Sequence, residues 1–142
     1  MNGGHVPRFS ICTPVHDPPL DLLRACLDSI GAQTCDDWEL CLVDDGSQRA
    51  EVLTELRARV DSDPRIRLVE CEQAGGIVAA SNAALEMAFG EFVVLVDHDD
   101  RIEPNALELV AAAIDADPTI DYLYTDEDKL APNGSVYDTF LK

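Results

Sequence analysis

The chain has 142 residues, 28 of them acidic and 10 basic, for a formal net charge of −18. So acidic a composition excludes duplex nucleic acid as a partner, because that needs a basic face. With 46% hydrophobic residues the chain can bury the core of one domain, yet its longest apolar runs are strand-sized and too short to span a membrane.

Residues 1–7 read as a loose leader without the apolar centre of a signal peptide. Arg8 to Cys12 reads as a first strand, followed by a loop of Thr13, Pro14, Val15 and His16. Asp17 then caps a helix with proline in its first turn, and Leu22, Leu23, Cys26, Leu27 and Ile30 recur at helical spacing. Trp38 to Val43 is a second strand. Val52, Leu53, Leu56 and Val60 mark a second helix, closed by Asp63-Pro64. Ile66 to Cys71 is a third strand, and the breaker Gly75-Gly76 opens an Ala-rich helix from about Val78 to Ala88. Glu91 to Val96 is a fourth strand. Pro104 opens another helix with Leu107, Val110, Ala111 and Ile114 on one face, and Ile120 to Tyr124 is a fifth strand. Asn133-Gly134 is a hairpin turn that would pair residues near 127–131 with 135–140. This alternation predicts an α/β fold with a mostly parallel sheet and right-handed crossovers. The sequence ends inside a strand-like pattern, Phe140-Leu141-Lys142, and reads as part of something longer, truncated at its C-terminus.

Two apolar strands each run into carboxylates. Leu40-Cys41-Leu42-Val43 meets Asp44-Asp45-Gly46-Ser47, and Phe92-Val93-Val94-Leu95-Val96 meets Asp97-His98-Asp99-Asp100. Fully apolar runs of this kind are buried strands of a parallel sheet, and such sheets bind ligands at their carboxyl ends. Carboxylates converging there repel one another unless a cation lies among them. Hard oxygens suit Mg²⁺ or Mn²⁺ beside a phosphate. The cation would also reverse the local field that otherwise repels an anionic ligand. Cys12, Cys26, Cys35, Cys41 and Cys71 lack metal-ligand spacing and read as reduced structural residues of a cytosolic protein.

In their order along the chain these motifs resemble the family 2 glycosyltransferases, which have the Rossmann-like GT-A fold. The match runs from about Phe9 to Lys142: Thr13-Pro14-Val15; Gln33-Thr34; Val43-Asp44-Asp45-Gly46-Ser47; Gly75-Gly76-Ile77 leading to Ala80-Ser81-Asn82; Val96-Asp97-His98-Asp99-Asp100; and Tyr124 to Lys129. Residues 8–142 would be the N-terminal nucleotide-sugar-binding part of such an enzyme. The resemblance implies metal-dependent, inverting transfer of a sugar from a UDP-linked donor to a saccharide or lipid-linked hydroxyl. That would serve polysaccharide or cell-envelope synthesis in the cytoplasm, at the inner face of the membrane through parts outside this sequence. It places Thr13, Pro14, Val15 and Asp44 at the nucleobase, and Asp45, Gly76, Asn82 and His98 elsewhere in the donor pocket, where the second Asp of such a pair often orders the loop. Asp97 would hold the ribose and share with Asp99 a Mn²⁺ or Mg²⁺ ion that bridges the phosphates. Ser81 departs from the Arg that many members carry there, so a phosphate-facing charge is absent at that position.

Members that invert use a carboxylate base from a later segment, expected beyond Lys142; Asp126, Glu127 and Asp128 are the weaker candidates within the chain. Asp100 reads as a helix-capping or salt-bridged residue, His5 and His16 as loop residues, and Trp38 as a core anchor. A response-regulator receiver also gathers carboxylates and Mg²⁺, but its acidic pair follows the first strand, which here ends in Thr13-Pro14. The remaining alternative is a non-catalytic module that binds a donor or a partner.

Overall fold

The computed structural model describes residues 4–140. Four parallel strands form one sheet in the order β3-β2-β1-β4: β1 (Phe9–Val15), β2 (Trp38–Asp45), β3 (Ile66–Cys71) and β4 (Phe92–Leu95). Between them run α1 (Leu20–Gly31), α2 (Ala50–Ser62) and α3 (Ile77–Met87). Handedness then places the helices. The steps from β1 to β2 and from β2 to β3 go one way across the sheet, so right-handed crossovers put α1 and α2 on one face. The step from β3 to β4 goes back the other way, so α3 covers the opposite face. There Ala80 and Ala84 pack on Cys12, Cys41 and Val43.

The predicted fold class holds, and five of its details change. β1 does not stop at Cys12; it continues through Thr13 and Pro14 to Val15. A proline inside a central strand normally breaks a ladder. Here Phe9 N–H donates to Asp37 in the β2 direction, whereas the Cys12 carbonyl accepts Val96 N–H on the β4 side. By alternation Pro14 faces the β4 side, beyond the last β4 pair at Cys12 and Leu95, so its missing N–H costs no bond.

β4 is the sheet's edge rather than a strand buried on both faces. Its residues alternate, with Val93 45% and Leu95 73% exposed, although an apolar run contains nothing to announce this. On α1, Leu22 is left exposed while Leu23, Cys26, Leu27 and Ile30 are buried. The fourth change is the helix cap: Pro19, not Asp17, stands at the start of α1.

The chain separates into two compact units, residues 1–107 and 108–142. The boundary falls in the first turn of α4 (Ala106–Ala116), where Leu107 and Ile114 are buried. In the second unit β5 (Glu127–Leu130) and β6 (Val136–Phe140) form the predicted antiparallel hairpin. Gly134 (φ +86°) takes its turn, and Lys129 pairs with Asp138 at 2.6 Å. Ile120 to Tyr124, expected as a strand, joins no ladder among the described residues; Tyr122 is 82% exposed. Apolar composition alone does not make a strand, which needs a paired edge. The first three leader residues and Leu141-Lys142 lie outside the described residues.

Candidate functional site

Strand order reverses between β1 and β4, and open α/β sheets hold ligands at such a switch point, beyond the carboxyl ends of the strands. A cleft of about 250 Å³ lies there. Pro14, Val15 and His16 come to it from the end of β1, Asp45 from β2, Ala74, Gly76, Ile77 and Ala80 from the start of α3, and His98 from the loop after β4.

Asp44 and Asp45 are adjacent in sequence but serve opposite faces of the sheet. Cys41 and Val43 face α3, so Asp45 does as well, and Asp44 points to the α1/α2 side. Asp45 accepts N–H bonds from Gly75 at 2.7 Å and Gly76 at 3.1 Å, one on each carboxylate oxygen. It thereby fixes the entry to α3, where Gly76 holds φ +95°. Asp44 is 1% exposed, and its Oδ2 accepts Ser47 N–H at 3.2 Å. Its Oδ1 is buried without a partner, and so is Thr13 Oγ1. By register and alternation both residues lie on the same face of neighbouring strands. Buried polar atoms are nearly always satisfied, so two orphans together mark a place built for something else.

Asp17 has a different role from the one expected of it. It sits at φ +43°, donates its N–H to Ser47 Oγ at 3.0 Å, and caps α2 instead of α1. Its carboxylate accepts the N–H groups of Gln48, at 2.9 and 3.0 Å, and of Arg49, at 3.0 Å. These bonds, Arg49 first, hold the Asp17 carboxyl below its usual range. The loops after β1 and β2 are thus tied together at the cleft rim.

His16, read from sequence as a loop residue, is a structural part of the cleft. Its Nδ1 lies 2.8 Å from the Asp45 carbonyl, which can only accept, so Nδ1 carries a proton. His16 N–H in turn donates to His98 Nδ1 at 3.3 Å, which places the proton of a neutral His98 ring on Nε2. His16 thus links the ends of β2 and β4. Its position directly after the strand-end Thr13-Pro14-Val15 was the sequence signal for it; Ile77 and Ala80 fall in the motif that follows Gly75-Gly76, and Ala74 carried no signal.

Asp97, Asp99 and Asp100 are exposed on the turn after β4, closed by Asp100 N–H on the Asp97 carbonyl at 3.1 Å. They lie near α1: Cys26 Sγ donates to the Asp97 carbonyl at 3.4 Å. Burial and then the negative charge of Asp100, Asp99 and Asp97 push the Cys26 thiol up to about 12. The expected convergence of Asp44, Asp97 and Asp99 into one cation cage does not occur. Among the described residues no three His, Cys, Asp or Glu side chains gather to hold a metal. The reason is Asp44, which is buried on its own face of the sheet. Asp97 and Asp99 carry hard carboxylate oxygens of the kind Mg²⁺ takes beside a phosphate, and both are exposed on this turn.

Asn82 is exposed on α3 and does not line the cleft. Asp126, Glu127 and Asp128 are exposed in the second unit. His5 bonds Asp37 at 2.7 Å at the other end of β1, and Trp38, 3% exposed, lies under Arg65 at 3.7 Å. All of Cys12, Cys26, Cys35, Cys41 and Cys71 are free thiols. No helix among the described residues is long and apolar enough to cross a membrane.

The model of Glycosyl transferase family 2 matches residues 10–132. The O-antigen biosynthesis protein RfbC of Myxococcus xanthus is 38% identical over 136 residues, which are 96% of this chain and 11% of that protein. The crystal structure of S. aureus TarS 1-349 in complex with UDP-GlcNAc superposes with a TM-score of 0.71 at 29% identity, over 77% of this chain and 31% of that one. The mannosyltransferase PcManGT from Pyrobaculum calidifontis, in complex with GDP-Man and Mn²⁺, gives 0.69 at 29% identity, over 82% and 34%. The chain therefore spans only a minor part of the length of the proteins it matches.

Proposed function

The chain belongs to glycosyl transferase family 2 and has the GT-A fold, and from that premise we propose that its cleft takes the nucleotide end of a UDP-linked sugar. The observation that carries this is the cleft at the switch point, lined by Pro14, Val15, His16, Asp45 and His98, with the buried orphans Thr13 Oγ1 and Asp44 Oδ1 on the other face of the same strand ends. A uracil base brings the N–H that Asp44 Oδ1 lacks. Pro14, Val15 and His16 form the wall beside it, and Asp45 keeps Gly75 and Gly76 in place as the opposite wall. Asp97 holds the ribose. Asp97 and Asp99 would hold Mn²⁺ or Mg²⁺ against the diphosphate, and the ion would offset the charge of the departing nucleoside diphosphate. Solved neighbours in complex with UDP-GlcNAc and with GDP-Man and Mn²⁺ support the ligand class. The whole protein then transfers the sugar, with inversion, to a saccharide or lipid-linked hydroxyl.

The test is calorimetry of UDP against the 142-residue chain with and without Mn²⁺. Binding that Mn²⁺ strengthens is expected; Asp44→Ala should weaken it with or without the ion, and Asp99→Asn should remove only the strengthening. An unmutated chain that binds no UDP would sink the proposal.

A second reading, a binding module without turnover, has one observation in its favour. The carboxylate that lines the cleft, Asp45, has both oxygens committed to Gly75 and Gly76, so it is no free base for an acceptor hydroxyl. Donor-dependent glycosyl transfer by the 142-residue chain would rule this reading out.

A further inference from the structure

Gln33 stands just past α1, 8% exposed, far along the chain from the acidic turn at Asp97 to Asp100. Its amide is used at both ends. Nε2 donates to the Ser29 carbonyl at 3.1 Å and to the Glu103 carbonyl at 2.7 Å, while Oε1 accepts Leu107 N–H at 3.0 Å. Two more bonds tie the same stretch to the same helix end: Ile102 N–H to Ser29 Oγ at 3.2 Å, and Thr34 N–H to the Pro104 carbonyl at 2.8 Å. On its other side the acidic turn is held by Cys26 Sγ on the Asp97 carbonyl. The segment that carries Asp97, Asp99 and Asp100 is therefore pinned to α1 before and after the carboxylates. The carboxylates themselves stay exposed.

We infer that Gln33 is a positioning residue for the diphosphate end of the ligand: it clamps the root of the Asp97–Asp100 turn to α1 and so fixes where Asp97 and Asp99 stand. The chemistry suits this amide and few other side chains. A carboxylate could not donate to Ser29 and Glu103, and an apolar side chain would leave the Ser29 carbonyl and the Leu107 N–H without these partners and the Glu103 carbonyl with Ala106 N–H alone. The inference rests on the proposal that Asp97 and Asp99 face the diphosphate, and it adds the residue that sets their geometry.

The experiment compares uridine and UDP affinities, each with and without Mn²⁺, in the 142-residue chain and in Gln33→Met. Methionine keeps the length and bulk but none of the bonds. Gln33→Met is expected to keep its uridine affinity, since Thr13 and Asp44 are untouched, and to lose about 10–100-fold of the Mn²⁺-dependent gain for UDP, the usual cost of removing support behind a metal-binding residue. Leu56→Ala, in the core under α2, serves as a control: it is expected to lower thermal stability but leave the Mn²⁺-dependent gain intact. Should Gln33→Met fail to fold, Ser29→Ala removes the bond from Ile102 N–H, together with the Ser29 hydroxyl's own bond to the Cys26 carbonyl within α1, and is expected to act in the same direction. A folded Gln33→Met with an undiminished gain would overturn the positioning role, as would an equal loss in Leu56→Ala. An unmutated chain without any Mn²⁺-dependent gain would overturn the diphosphate reading itself, and this role with it.

Discussion

Asp44 illustrates how a site residue is set against stability. Its carboxylate is buried, Ser47 satisfies one oxygen, and the other has no donor. Burying a carboxyl oxygen without a partner is costly, and the cost persists where function requires it. Asp44→Asn is therefore expected to hold or raise the urea midpoint while UDP affinity falls; a drop in both would show that the carboxylate serves the fold first. Gly46 makes the opposite point. It sits at φ +67°, and a Cβ there would lie 2.5 Å from Ala74 N, backbone against backbone. A left-handed conformation alone costs a side chain about 1–2 kcal/mol. Gly46→Ala is expected to lose at least that much in chemical denaturation and to loosen the turn that carries Ala74 to the cleft.

Among the elements, β2 and β4 have similar apolar sequences but different stakes. Every residue of β2 is buried, whereas β4 exposes Val93 and Leu95. Leu42→Ala is expected to cost about 2–5 kcal/mol. Leu95→Thr is expected to stay within about 0.5 kcal/mol, as a surface substitution does. Equal losses would mean that β4 is covered in solution. At the amino ends of the strands, Glu39 joins β1, β3 and the turn before β4. Its carboxylate accepts Ser10 O–H at 2.6 Å, Phe89 N–H at 2.7 Å and Arg67 at 2.7 Å. Burial pushes this carboxyl up, but those bonds outweigh it and leave it below its ordinary 4.5. A depressed carboxyl stabilises the fold fully above its unfolded value and loses that contribution as pH falls through the folded one. Between pH 7 and acid, the urea midpoint of the unmutated chain is therefore expected to fall more steeply below 4.5 than that of Glu39→Gln. Parallel acid limbs would contradict this.

At the scale of the whole molecule the charge of −18 dominates. Exposed carboxylates repel one another in the compact state more than in the expanded one, and salt screens them. Raising NaCl from a few millimolar to about 0.15 M, where the screening length is near 8 Å, is expected to raise the melting temperature. A melting temperature indifferent to NaCl would mean that the ion pairs, such as Arg24–Glu55 and Arg59–Asp28, already balance the surface.

The sequence by itself determined the α/β class, the order of its helices and strands, the family, and the segments from which the site is built. Those features rest on local period and on short motifs: apolar runs of strand length, Leu23 and Ile30 at helical spacing, Asn133-Gly134 at a turn, Asp44-Asp45 and Asp97-His98-Asp99 at strand ends. What the tertiary structure decided depends on partners distant in sequence. Pro14 continues a strand because β4 has already ended beside it, and Ile120 to Tyr124 forms none because no edge among the described residues pairs with it. Asp17 caps the helix after β2 because the fold, not the chain, brings Gln48 and Arg49 to it. Alternation sends Asp44 and Asp45 to opposite faces, so the carboxylates that looked like one cage do different work. His16 follows a strand-end motif and Gln33 lies in the Gln33-Thr34 motif, but the role of each is defined by hydrogen bonds to residues that only folding brings within reach.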